Sequence, residues 1–388
     1  MTRRVAVFTG TRAEYGLLAP LMRAIIAEPG LDLLVIVGAQ HLSPEFGETW
    51  REIERDGFAI AARVEMLLSS DTALGVVKSL GLGTMGLGDA LDRLSPDLLV
   101  VLGDRFEALA AVQAALILRV PVAHVHGGEI TEGAYDDAIR HAITKMSDLH
   151  FTATEPYRRR VIQMGSPPER VFNVGALGLD EAEDEVPMPL AEVSNTLNFS
   201  IRAPYLLVTY HPATLANEDP VATMRAILEA LEGFPDHQVI FTHPNADNGG
   251  RAITARIVAH VARHPGRALS VRSLGAARYR AVLAGAAAVL GNSSSGIIEA
   301  PSAGVPTVNI GSRQAGRLAA ASVRHCGTDA PAIRAALIWA LSDEGRAIAA
   351  AADNPYGKGD AARAIVAVLR DADLGGVKRF HDIAGAEG

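Results

Sequence analysis

Residues 97–141 read DLLVVLGDRFEALAAVQAALILRVPVAHVHGGEITEGAYDDAIRH, and this pattern decides the fold. Leu98 to Leu102 is a buried strand, Phe106 to Leu118 a helix, and Val120 to Val125 a second buried strand. A polar turn follows, and a further helix begins near Asp136. Its first turn holds Asp136 and Asp137, where the helix dipole and free backbone N–H groups stabilise carboxylates. Arg140 lies four residues after Asp136, at ion-pair spacing. Both strands discharge into ionisable clusters, Gly103-Asp104-Arg105 and His124 through Glu129. In an open parallel sheet, ligands bind at the carboxyl ends of the strands. The stretch therefore reads as the wall of an active site, in which at least one of the two first-turn acids, beside two histidines and Glu129, is expected to bind or catalyse; the plainer alternative is a capped helix with a surface ion pair.

The same alternation extends outward. Arg4 to Thr9 is a strand that turns through Gly10-Thr11-Arg12 into an amphipathic helix bearing Leu17, Leu18, Leu21, Ile25 and Ile26. Leu31 to Val37 is the next strand, followed by a less regular charged stretch and a helical region from Leu74 to Leu94. Leu149 to Ala153 and Val171 to Val174 complete a first domain, residues 1–180. Repeated strand–helix units require right-handed crossovers and a parallel sheet. The acidic run DEAEDEVPMP from Asp180 to Pro189 opens a linker spanning 181–203. A second series then places strands at Tyr205–Tyr210, Gln238–Thr242, Leu269–Val271, Ala287–Leu290 and Thr307–Ile310 within a domain of residues 204–358. A helix from about Gly359 to Arg370, within residues 359–388, has no place in the second sheet and is expected to brace the first. The fold class is α/β, with two doubly wound Rossmann-like domains facing a cleft.

Composition narrows the function. A chain of 388 residues fits two domains, and 49% apolar with 21% charged residues is the balance of a soluble, well-packed protein. The single cysteine, Cys326, excludes a disulfide framework and a cysteine-rich zinc site. The apolar run after Arg3 and Arg4 is too short for a signal peptide, and no run reaches membrane-spanning length, so a cytoplasmic setting is expected. A net charge of -8 argues against nucleic acid but leaves room for a small anion held by Arg12, Arg105, Arg313 or Arg317. Gly81, Gly83 and Gly86 match a dinucleotide-binding pattern, yet no strand precedes them, as that mechanism requires. There is no P-loop, and the histidines and acids lack a metal spacing, so neither cofactor nor metal is expected.

The second half carries its own signal. Gly291-Asn292-Ser293-Ser294-Ser295-Gly296 follows a buried strand and opens a helix to about Pro301, with Glu299 one turn in. Small residues, backbone N–H groups and hydroxyls there suit a diphosphate, and Glu299 suits the two hydroxyls of a ribose. The plainer alternative is a serine N-cap with a glutamate capping partner. His211-Pro212 and His243-Pro244 end two strands of the same domain and line its ligand edge; Asn245-Ala246-Asp247 follows the latter.

Taken together, GTRAEYG at 10–16, LGDRFE at 102–107, HVHGGEITEGAYDDAIRH at 124–141, THPNAD at 242–247, GNSSSGIIEAP at 291–301 and NIGSRQAGR at 309–317 resemble the hydrolysing UDP-N-acetylglucosamine 2-epimerases. The resemblance implies the GT-B-like fold of many nucleotide-sugar glycosyltransferases, a UDP-sugar substrate, no redox cofactor, and a homodimer or homotetramer. It also implies the reaction. UDP leaves C1 as the C2 proton is lost, and water adds to the resulting glycal as a proton returns to the opposite face of C2. By motif position, Asp104, Glu129 and Asp136 match the catalytic carboxylates; some relatives carry glutamate at the position of His126, so that role falls to His126 or Glu129. Arg12, His211, Ser294, Ser295, Glu299 and Arg313 match positions around the diphosphate and ribose. UDP-N-acetylglucosamine, giving N-acetylmannosamine for sialic acid, is the favoured substrate. The alternative is UDP-N,N'-diacetylbacillosamine, giving 2,4-diacetamido-2,4,6-trideoxymannose for legionaminic acid; the two differ at C4 and C6, where pocket shape decides. From other classes, a glycosyltransferase of this fold would need an acceptor groove, and a non-catalytic nucleotide-sugar binder would have lost the acids near Asp104.

Overall fold

A computed structural model describes residues 2–68, 70, 72–131, 135–180, 188–212, 219–244, 250–375 and 378–383. The apolar runs of the first half become strands β1 (Arg3–Thr9), β2 (Leu31–Gly38), β3 (Ile60–Val64), β4 (Leu98–Leu102), β5 (Val122–Val125), β6 (Leu149–Thr152) and β7 (Val171–Asn173). They form one parallel sheet of order β3-β2-β1-β4-β5-β6-β7. The second half supplies β8 (Tyr205–Thr209), β9 (Gln238–Thr242), β10 (Ala268–Val271), β11 (Ala288–Gly291), β12 (Thr307–Ile310) and β13 (Val323–Cys326). Their sheet is also parallel, of order β10-β9-β8-β11-β12-β13.

The helices of the first half are α1 (Arg12–Ala27), α2 (Trp50–Arg55), α3 (Ala73–Leu94), α4 (Phe106–Leu118), α5 (Asp136–Met146) and α6 (Glu155–Gln163). The second half holds α7 (Leu190–Leu197), α8 (Pro220–Leu231), α9 (Gly250–Arg263), α10 (Ala276–Ala284), α11 (Ser294–Ile298), α12 (Ala330–Ala340) and α13 (Asp343–Ala350), and α14 (Ala361–Asp371) closes the series. Two compact units result. The first comprises residues 1–129, 136–182 and 356–388, the second residues 130–135 and 183–355.

Side-chain alternation along buried strands builds a core on each face of the first sheet. Val5, Val7, Val35, Val37, Leu98 and Val100 pack on one face with Leu18, Met22 and Ile25 of α1 and Ile365 and Leu369 of α14. Ala6, Phe8, Ile36, Leu99 and Val101 pack on the other with Leu87 of α3 and Ala111 and Ala115 of α4. The carboxylate of Asp180 accepts the backbone N–H groups of Ala361 and Ala362 at 3.0 and 2.6 Å, satisfying the free donors at the start of α14. In the second unit, α7 buries Val193 beside Ile201 and Leu283. The stretch read as a linker thus contributes part of that core; residues 181–187 lie outside those described.

The glycines at 81, 83 and 86 sit inside α3, away from any strand-to-helix turn. A side chain at Gly83 would collide with Met66 and lie 3.2 Å from Ala110, so its role is close helix packing. Each sheet has one point where strand order reverses, between β1 and β4 and between β8 and β11. In this topology the crevice at that point is the natural ligand edge.

Candidate active site

At the reversal point of the first sheet, β1 ends in Thr9 and the chain turns through Gly10 and Thr11 into α1. Glu14 closes a capping box there: Oε2 accepts the N–H groups of Gly10 and Thr11 at 2.8 and 3.1 Å, and Thr11 Oγ1 accepts the Glu14 N–H at 3.2 Å. Glu107, fully buried in the first turn of α4, faces the same turn; a Cβ on Gly10 would lie 3.2 Å from its side chain. Arg105 Nε approaches both Glu107 oxygens at 3.4 Å. Burial, with the nearby Glu107 charge, raises the Glu14 carboxyl to about 7. Arg12 Nε lies 2.7 Å from Glu52.

The ends of β4 and β5 carry the remaining acids. Arg140, on α5, is a fully buried guanidinium that pairs with Asp104, donates to the Glu129 carbonyl at 3.3 Å, and lies 3.7 Å from Asp137. Glu129 Oε1 is 2.6 Å from His126 Nδ1. His126 Nε2 is 3.3 Å from the Leu177 backbone N–H, which can only donate, so Nε2 accepts and Nδ1 carries the proton given to Glu129. The His126 backbone has φ +64, a left-handed conformation uncommon outside glycine and held here by its surroundings. Asp136 is buried in the first turn of α5. Asp104, His126 and Glu129 thus form one connected cluster through Arg140.

His124 is a different case. Nε2–H donates to the Gly103 carbonyl at 2.7 Å, Nδ1 lies 3.1 Å from Thr144 Oγ1, and burial pushes the ring down to about 4. It is a neutral residue tying β5 to the turn after β4. His41, between Thr9 and Thr49, is held down to about 3 by the same cause.

At the reversal point of the second sheet, Asn292 joins β8 to β11. Its Oδ1 accepts the His211 N–H at 2.7 Å, and its Nδ2 donates to the His211 carbonyl at 2.8 Å. Each end of the amide thus makes one hydrogen bond to backbone, which ties the turn after β11 to the segment after β8. Gly291 has φ +136, and a side chain there would collide with the Thr209 carbonyl. The Asn292 carbonyl receives Arg313 Nη1 at 3.1 Å and Gln314 Nε2 at 2.8 Å. Ser293 caps α11, which ends at Ile298 rather than near Pro301. Ser295 accepts the Tyr279 hydroxyl at 2.6 Å and donates to Glu299 at 2.8 Å. Burial pushes the Tyr279 hydroxyl up, with the Glu299 charge adding to it, so it remains a donor. Ser294 opens α11, with Gly296 packed so closely on β12 that a Cβ would lie 2.9 Å from Thr307. His243, half-buried at the end of β9, donates its backbone N–H to Val271 at 3.0 Å, and burial lowers its ring pKa. Asn245 through Asp247 and Glu132 through Ala134 lie outside the described residues.

The family model for UDP-N-acetylglucosamine 2-epimerase matches residues 23–370. The chain belongs to this family. A Campylobacter jejuni relative, GDP/UDP-N,N'-diacetylbacillosamine 2-epimerase (hydrolyzing), is 37% identical over 316 residues, covering 81% of this chain and 82% of the relative. UDP-N,N'-diacetylbacillosamine 2-epimerase (hydrolyzing) of Legionella pneumophila is 35% identical over 314 residues, 81% of this chain and 82% of its own. The structure of the Neisseria meningitidis UDP-GlcNAc 2-epimerase bound to UDP-GlcNAc superposes with a TM-score of 0.78 at 19% identity, covering 95% of this chain and 99% of that one. The two-sheet α/β fold is shared with that structure.

Within this 2-epimerase, Glu14, Glu107, Tyr279 and Gln314 take structural positions around the candidates that the sequence did not assign, and Arg140, read from sequence at ion-pair spacing from Asp136, pairs with Asp104. Thr11 and Glu14 at capping-box spacing were a readable signal for one of them. No helix among the described residues is long and apolar enough to cross a membrane.

Proposed function

We propose that this protein is a hydrolysing 2-epimerase that converts a UDP-2-acetamido sugar to UDP and the free 2-epimer. The carrying observation is the Asp104–Arg140–Glu129–His126 cluster at the ends of β4 and β5, in a chain of this family. The C2 hydrogen is not acidic in the ground state, so its loss must be coupled to departure of the diphosphate and to support of positive charge on the ring. Asp104, whose side chain is 22% exposed, is the carboxylate assigned to the C2 proton. Glu129, held by His126, and Asp136 are assigned the oxocarbenium-like charge and the proton returned to C2. Arg313, the serines of α11 and His211 are assigned to the diphosphate, and Glu299 to the ribose, each as a proposal from motif position.

For the sugar, the names of the two hydrolysing relatives at 37% and 35% identity favour UDP-N,N'-diacetylbacillosamine over UDP-N-acetylglucosamine, the substrate favoured from sequence. Discrimination at C4 and C6 is expected to be about ten-fold or more in kcat/KM, because exchanging a hydroxyl for an acetamido group leaves pocket polar groups unpaired. Initial rates of UDP release from the two sugars test this. A preference of about ten-fold for UDP-N-acetylglucosamine would reverse the assignment, and no release from either would remove it.

A further inference from the structure

We propose that the second unit carries a divalent-metal site of zinc type, formed by Glu232, His260 and His264, on the edge of its sheet opposite the strand ends that hold Asn292 and His211. Glu232 is the residue that ends α8, just before β9, and His260 and His264 lie at the end of α9, just before β10. Helix ends that feed strand starts lie at the amino edge of a parallel sheet. The ligand edge of the epimerase is the other one.

The geometry is that of a three-donor site. His260 lies in the last turn of α9 and His264 directly follows its last residue, with ring centroids 4.2 Å apart. The His264 Nδ1–H donates to the His260 carbonyl at 2.9 Å, leaving Nε2 with its lone pair 3.6 Å from Glu232 Oε1. His260 is 2% exposed, and its Nε2 makes no hydrogen bond. A buried polar nitrogen without a partner is costly, and coordination would satisfy it. One donor atom from each of the three residues lies within 4.8 Å of the other two, the one such group among the described residues. Two imidazoles and a carboxylate are a zinc ligand set, with bonds near 2.0–2.2 Å that place tetrahedral donors roughly 3.4 Å apart. The His264–Glu232 pair is already close to that spacing, and the His260 donor lies within 4.8 Å of both. Arg267 Nη1, 3.9 Å from the second Glu232 oxygen, would orient the carboxylate from outside. Sequence spacing gave no metal reading because the third donor arrives from a different helix. Such a site would tie α8 to α9 and leave the epimerase chemistry untouched.

The test uses the full-length protein, stripped with a chelator and dialysed, then titrated with Zn2+ by calorimetry. The expected result is one saturable site per chain, a Tm that rises with Zn2+, and Co2+ visible absorption of tetrahedral type. Glu232→Gln and His264→Gln, both at partly exposed positions, should each weaken Zn2+ binding by at least about ten-fold and abolish the rise in Tm, while melting like the parent in chelator. Absence of a saturable site, or equal affinity in parent and both variants, would overturn the proposal.

Discussion

Arg140 is the residue on which the first unit's acids depend. Its charge is buried, and it holds Asp104 and the Glu129 backbone together. Removing one partner of a buried ion pair leaves an uncompensated charge, so Arg140→Ala is expected to cost about 3 kcal/mol or more in thermal or denaturant unfolding and to lower turnover at least about 100-fold. A parent-like rate would separate Arg140 from the proposed catalytic cluster. Glu14 gives a pH signature. Its folded carboxyl titrates at about 7, above its ordinary 4.5, so the folded state binds this proton more tightly than the unfolded one. Stability from this group is full below the unfolded value and is lost as pH rises through the folded value, to a total of roughly 3 kcal/mol. Glu14→Gln removes that loss, so its Tm relative to the parent should improve between about pH 5 and about pH 8. A difference that does not change with pH would contradict the buried-carboxyl assignment. Sequence located Asp104, His126 and Glu129 because acids and histidines after apolar runs stand out. What makes His124 structural, its bonds to the Gly103 carbonyl and the Thr144 hydroxyl, is not readable from spacing. The amide of Asn292 was equally illegible, because its partner lies 81 positions away.

At the scale of elements, the central strands were legible because β4, β5, β8 and β9 are apolar-rich and buried along their whole length. The edge strands β3 and β13 escaped notice. Each is solvated on one side and interleaves polar residues, as in IAARV and VRHC. The end of α11 was misplaced for a related reason: a helix of 5 residues is set by the turn that follows it. The N-terminus of α14 depends on Asp180, which opens the acidic run read from sequence only as a linker start. Asp180→Ala removes both caps and should destabilise the first unit by about 1–2 kcal/mol, read as a lowered midpoint of unfolding. An unchanged midpoint would show that α14 docks by its apolar face alone. In the second unit, Asn292→Ala breaks two hydrogen bonds between the turn after β11 and the segment after β8, taking one partner from each of the His211 backbone groups. A loss of about 2 kcal/mol, with weaker UDP binding by calorimetry, is expected.

At the scale of the whole molecule, one topology is used twice, and each sheet reverses its strand order once. Those two reversals collect the residues that sequence flagged, the acids at one and the glycine–serine turn at the other. The repeated architecture was readable because strand and helix signals recur at similar spacing. The substrate's sugar was not, because discrimination at C4 and C6 depends on a surface assembled from distant residues. The central claim, elimination of UDP followed by hydration, is tested most directly by following the reaction in deuterated water by proton NMR. Release of UDP together with a free manno-configured 2-acetamido sugar carrying deuterium at C2 is the predicted result. Free sugar that keeps its C2 proton and gluco configuration would mean simple hydrolysis and would contradict the account.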